Sequence, residues 1–175
     1  MTDYALINPS NQIDRRSHDG PGGINPSVQV KAGWKWVPVE TAAAPAFNAG
    51  LETASQAAPV VEANRVVISY TKTRRSLDEQ KAAVKAEAQR RIVALTGVAD
   101  LMACIIKQSN ANMRANELND KRLNGDTLTA EEETEATALR NLATAIKTIR
   151  AKSNDLELMD PIPLDYTNDS YWQAA

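Results

Sequence analysis

Apolar and polar positions follow different periods in the two halves of this chain. Val28, Val30, Ala32, Trp34 and Trp36 alternate with Gln29, Lys31, Gly33 and Lys35. That period of two predicts a strand with one buried face. Val66, Ile68 and Tyr70 alternate likewise with Val67, Ser69 and Thr71, and Tyr4-Ala5-Leu6-Ile7 is a short strand candidate stopped by Asn8-Pro9. The segment from Arg15 to Pro26 holds Gly20, Pro21, Gly22, Gly23 and Pro26 and reads as a loop. Residues 41–57 are small and weakly patterned, which predicts an extended linker or arm. Three or four strands without helical cover are marginal alone, so docking onto other structure is expected to stabilise them.

Beyond Ser76 the spacing changes to three and four. Ser76-Leu77-Asp78-Glu79 is a capping box, in which the Ser76 hydroxyl and the Glu79 carboxylate each satisfy the other residue's amide. Val84, Ala88, Ile92, Leu95, Ala99, Met102, Ile106 and Met113 follow as an apolar stripe. One interior glycine, Gly97, costs only about 1 kcal/mol. A single helix is therefore expected from Leu77 to about Leu123, roughly 70 Å long. Asn124-Gly125-Asp126 ends it, and Thr129 to Glu132 forms a second capping box. The next helix carries Leu139, Leu142, Ile146, Ile149, Ser153 and Leu156 at heptad spacing until Pro161 and Pro163. Two readings of the acidic end with Tyr166, Tyr171 and Trp172 stand: aromatics that dock onto something, or a frayed terminus.

The expected class is α+β. A small N-terminal antiparallel β module with extended loops and an Ala/Pro-rich linker occupies 1–75. A long helical hairpin or coiled coil occupies 76–160, and an extended tail 161–175.

Composition narrows the chemistry. Lys plus Arg number 20 against 22 Asp plus Glu, a net charge of -2 that argues against a nucleic-acid partner. Aromatics make up 5% of the 175 residues, so a large core is not expected, and extended helices with partner surfaces use this composition better. One Cys and one His leave little for metal or thiol chemistry, and no cofactor or metal is expected. No apolar run approaches the roughly 20 residues needed to span a bilayer, so no membrane partner is expected. The opening MTDYALINPSNQ lacks the basic and apolar regions of a secretory signal, and Cys104 cannot form an intrachain disulfide; synthesis in a reducing cytoplasm is expected.

Several constellations have a functional and a plain reading. Asp120, Asn124, Gly125 and Glu131 stand at positions 1, 5, 6 and 12 of a calcium loop, yet Arg122 puts a cation where position 3 needs an oxygen, so a turn between capped helices is favoured. Ser17-His18-Asp19 has the residue types of a hydrolytic triad, but neighbours in one short segment hardly reach triad geometry. Cys104 reads as a buried inert thiol, with only Lys107 near enough to act on it. The pairs Arg15-Arg16, Arg74-Arg75 and Arg90-Arg91 read as solvated or interface charges. Asn110, Asn112, Asn116 and Asn119 are either register-fixing amides in a seam or an exposed polar face.

The order of features carries a resemblance. YALIN, a Gly-rich loop, GWKWVPVE, a Pro-Ala spacer and RVVISYTKTRRSLDEQKAAVKAEAQRRI resemble small tail-associated proteins of tailed bacteriophages. The matching residues are Tyr4, Ile7, Asn8, Trp34, Trp36, Pro38, Val39, Val67, Tyr70, Ser76, Leu77 and Glu79, within roughly residues 1–95. The resemblance implies a virion or assembly protein without enzymatic activity, made in the host cytoplasm and located in the virion tail. Its expected role is an adaptor joining tail, baseplate or fibre components, with other tail proteins and copies of itself as partners. Trp34, Trp36, Leu139, Leu142, Ile146, Ile149, Tyr166, Tyr171 and Trp172 are the expected contact residues. A tail-fibre assembly chaperone, lost from the mature virion, is the alternative.

Overall fold

The computed structural model describes residues 3–18 and 31–173, and the chain forms two units, Met1–Arg74 and Arg75–Ala175. The first is β-rich and the second helical, a mixed α+β architecture.

Among the described residues of the first unit, the strands are β1 (Asp3–Ile7), β2 (Ile13–His18), β3 (Lys35–Thr41), β4 (Glu52–Gln56), β5 (Val60–Val61), β6 (Val66–Ile68) and β7 (Tyr70–Arg74). One sheet has the order β2-β1-β3-β6-β5, and β4 pairs with β7 in a second. Asn8 makes the β1–β2 turn: its carboxamide oxygen accepts from the Ser10 and Gln12 amides at 2.9 Å, and Asn11 takes a positive φ of 59°. The core is built by Ala5, Ile7, Val37 and Val66, with Ile13, Val39 and Val61 packed against it.

Four expectations for this unit change. The module is not wholly antiparallel, because β3 and β6 run parallel with Val39 opposite Val66. Parallel neighbours need a crossover of a dozen or more residues, and residues 42–65 provide it. Those residues are consequently no free linker: they hold β4 and β5, and Leu51 is fully buried. The strand expected over Val28–Trp36 begins instead at Lys35. Lys31–Trp34 form a turn, with the Trp34 amide donating to the Lys31 carbonyl at 2.9 Å and Gly33 at φ 80°. A Cβ on Gly33 would lie 3.0 Å from Pro9 Cγ, so this turn favours glycine twice over. Val28 and Val30 lie outside the described residues, as does the Gly-rich segment after His18. The strand also presents its other face to the core. β3 pairs with β1 so that Val37 lies opposite Ala5 and Trp36 opposite Leu6. Val37 enters the core, while Trp34 and Trp36 stay half-buried.

The helical unit contains α1 (Leu77–Thr96), α2 (Leu101–Leu123), α3 (Ala130–Glu157) and a short 3-10 turn, Asp169–Tyr171. Both capping boxes are present. The Glu79 amide donates to Ser76 Oγ at 3.4 Å, and the Glu132 amide to Thr129 Oγ1 at 3.2 Å.

The single helix expected over 77–123 is two helices bent by 61°. Gly97 takes φ 67° as a left-handed C-cap, and Asp100 caps α2 by accepting from the Ala103 amide at 2.8 Å. The bend splits the apolar stripe. Val84 and Ala88 are buried, whereas α2 buries Cys104 and Leu118 and turns Met102, Ile106 and Met113 outward. Gly97→Ala has open space for its methyl group, so its cost is the left-handed backbone alone. A loss of about 1–2 kcal/mol is expected in urea unfolding, against near neutrality if the two helices could fuse.

The continuous coiled coil gives way to three shorter helices, with α1 and α2 each packed antiparallel on α3. Lys85 of α1 pairs with Glu157 at the C-terminal end of α3 at 3.3 Å, and Arg114 with Glu135 at 2.8 Å between α2 and α3. The heptad positions of α3 serve these contacts: Ile146, Ser153 and Leu156 are buried, and Leu139, Leu142 and Ile149 half-buried. The described part of the tail is not extended. It folds back within its own unit and buries Ile162, Tyr166 and Trp172.

Candidate interaction surfaces of the helical unit

Arg91 organises the tail. Glu87 and Arg91 sit one turn apart on α1, and Arg91 Nε donates to Glu87 Oε1 at 2.8 Å. Its other nitrogens reach the tail, one to the Thr167 carbonyl at 2.7 Å and one to Asp169 Oδ1 at 2.8 Å. The guanidinium lies 4.9 Å from the centre of the Trp172 ring, a cation–π contact. Trp172 Nε1 donates to the Tyr166 carbonyl at 2.7 Å, so the indole's polar edge is satisfied in its buried site. Tyr171 stays half-buried and donates to Asp165 at 3.2 Å. Among the expected contact residues, Tyr166 and Trp172 therefore meet their own chain.

Glu87 also accepts two bonds from Arg90 at 2.7 Å. Hydrogen bonds from Arg90, then its charge and that of Arg91, hold the Glu87 carboxyl below its ordinary value of 4.5 against the opposing effect of burial. A carboxyl lowered in the folded state stabilises it above the unfolded value and loses that contribution as pH falls through the folded one. The stability difference between wild type and Glu87→Gln is therefore expected to be constant from pH 7 to about pH 5 and to shrink below 4.5. Urea midpoints measured across this range check it; a difference that ignores pH would assign the effect to packing.

A groove of about 430 Å³ runs along α2 and α3. Ala111, Ala115 and Leu118 of α2 meet Leu139, Leu142, Ala143 and Ile146 of α3 along it, so half of the expected heptad contacts line an open surface. Its charged lining residues are Arg122, Arg140, Lys147 and Arg150, with no carboxylate among them. Arg122 pairs with Glu133 at 2.5 Å. Lys121 pairs with Glu132, and Arg114 with Glu135, so the acidic start of α3 is matched to α2. Accordingly, the Glu132 and Glu135 carboxyls are held low by Lys121 and Arg114.

A second surface lies on the other side of α2. Residues two apart on a helix point roughly 200° apart, and Met113 is so related to Ala111 and Ala115. Met102, Ile106 and Met113 are each more than half exposed, between 54% and 66%, while Ile105 lines a depression with Ala88 and Ile92 of α1 and Ser153 of α3. The period of the sequence hid this row, since Met102, Ile106 and Met113 read as the buried stripe until the bend at Gly97 turned them out.

The remaining chemical candidates are absorbed structurally. Cys104 is buried and accepts from Gln108 at 3.0 Å and Thr96 at 3.4 Å, while Lys107 is committed to the Thr96 carbonyl at 2.6 Å. Asp120 and Arg122 give carbonyls to the turn at Asn124 and Gly125, where Gly125 has φ 85°. Ser17 and His18 are consecutive residues of β2 opposite Tyr4 and Asp3, and Asp19 lies outside the described residues. Asn110, Asn112, Asn116 and Asn119 are exposed in the single chain. Among the described residues, no cluster of His, Cys, Asp or Glu could hold a metal, and no single helix is long and apolar enough to cross a membrane.

No family model matches the chain, no curated protein matches it, and no solved structure matches its fold.

Proposed function

We propose that this protein is a non-enzymatic structural adaptor of a bacteriophage tail, which self-associates and joins other tail components through its helical unit. The tail assignment rests on the resemblance of YALIN, GWKWVPVE and the Ser76-Leu77-Asp78-Glu79 junction. The adaptor role rests on one observation: α2 carries more apolar surface than its own unit covers, in the row Met102, Ile106 and Met113. Large apolar side chains left exposed within one turn of each other, as Met102 and Ile106 are, mark an interaction site. The row holds no charged side chain, so a second copy can meet it without like-charge repulsion.

Sedimentation of the full chain over a range of concentrations tests self-association. A dimer or larger oligomer is expected, reduced to monomer by Ile106→Asp, which places a carboxylate in the apolar contact. A monomer at every concentration overturns self-association. Mass spectrometry of purified virions tests the location. Its peptides are expected in the particle, and their absence would replace the adaptor by an assembly chaperone.

A further inference from the structure

We propose that the α2/α3 groove receives the apolar face of an acidic amphipathic helix from a protein other than this chain. The groove is long enough to receive a further helix laid along the α2/α3 pair. From Gln108 to Arg122 it follows about 21 Å of α2, close to four helical turns. Alanines on both walls allow close approach, and Leu139 and Leu142, half-buried, offer apolar contact to knobs from an incoming helix.

Charge identifies the occupant. Arg140, Lys147 and Arg150 line the α3 side, seven and three residues apart, and all three are exposed. No carboxylate faces them from either wall. Five acidic side chains of this unit are engaged elsewhere: Glu79 by Ser76, Glu87 by Arg90 and Arg91, Glu132 by Lys121, Glu133 by Arg122 and Glu135 by Arg114. A second copy docked groove to groove would set cations against cations, as two-fold symmetry brings each patch onto itself. A helix with Leu at its inner positions and Glu at its flanks answers both the apolar floor and the cationic edge.

The proposal rests on the adaptor reading only in treating the helical unit as a partner-binding element. Peptide capture and detection in the virion can fail independently.

Two dye-labelled synthetic helices of about 15 residues, with Leu at the inner heptad positions and either Glu or Lys at the flanking ones, are titrated with the full chain by fluorescence anisotropy. The Glu helix is expected to bind saturably, more weakly as salt rises, and at least about tenfold more tightly than the Lys helix. Combined Arg140→Glu, Lys147→Glu and Arg150→Glu should invert that preference. Because the three residues are exposed, the variant is expected to keep its fold, which circular dichroism checks. Equal binding of the two helices, or none below about 100 μM, overturns the proposal. So does concentration-dependent cross-linking of Ala143→Cys chains to one another, which would place a second copy in the groove.

Discussion

Trp172→Ala is expected to destabilise the helical unit by about 3–5 kcal/mol, the range for truncating a large buried aromatic. Trp172 is only 4% exposed, and it carries three separable interactions. Its ring packs in the unit, it faces the Arg91 guanidinium at 4.9 Å, and its indole donates to the Tyr166 carbonyl at 2.7 Å. Trp172→Phe keeps most of the packing and loses the indole donor, leaving the Tyr166 carbonyl short of a partner; about 1–3 kcal/mol is expected. Urea unfolding followed by circular dichroism measures both. Since a domain is stable by only about 5–15 kcal/mol, the Ala variant should also release the tail, and limited proteolysis should cut it between Pro163 and Trp172. A Trp172→Ala protein within about 0.5 kcal/mol of wild type would show that the tail is a free arm.

The tail illustrates which features a sequence exposes. Tyr166, Tyr171 and Trp172 are conspicuous as aromatics, but their destination depends on Arg91, which the fold brings to them from α1. The capping boxes were legible because donor and acceptor lie three residues apart and need no tertiary context. Gly97 misled for the opposite reason. Its local cost in a helix is small, so only the packing of α2 on α3 decides that a left-handed cap is worth more than a continuous helix. The heptad of α3 was visible, yet spacing alone does not say that its partners are α1 and α2 of the same chain.

In the β unit the alternating run marked a strand too early and pointed to the wrong face, since the strand starts at Lys35 and its core residue is Val37. Trp34 and Trp36 are the bulkiest residues of their run, which made them the natural core candidates. Pairing with β1 instead places Val37 against Ala5 in the core. Strand register is a long-range property, and a shift of one residue exchanges the faces. The mixed sheet was illegible for a related reason. Val66–Thr71 reads as one strand, but it divides at Ser69, whose carbonyl accepts from the Ala57 amide at 2.9 Å. Its first half joins β3 and β5, and its second half joins β4.

Leu51→Ala should decide whether the segment over 41–57 is structure or spacer, with an expected loss of about 2–5 kcal/mol. In a spacer this leucine would be solvated and its truncation near neutral. Here its side chain is fully buried, and the turn that delivers it is specific. The Asn48 carboxamide oxygen accepts from the Gly50 amide at 2.9 Å, and its carbonyl accepts from both the Leu51 and Glu52 amides. Glu52 returns a carboxylate oxygen to the Asn48 amide at 3.1 Å, closing the turn from both sides. The turn leads straight into β4, which pairs with β7 through Glu52 opposite Arg74 and Gln56 opposite Tyr70. Leu51→Ala removes buried side-chain volume without touching these hydrogen bonds, so the unfolding experiment reads burial alone. Asn48→Ala provides the complementary measurement, because it removes the acceptor for Gly50 while leaving Leu51 in place; about 1 kcal/mol is expected. The larger effect should belong to Leu51, since the hydrogen bonds are exchanged with water on unfolding and the buried side chain is not. The reverse order would mean that the turn, and not the side chain it carries, holds the segment. A Leu51→Ala cost under about 0.5 kcal/mol would return the segment to the role of a linker.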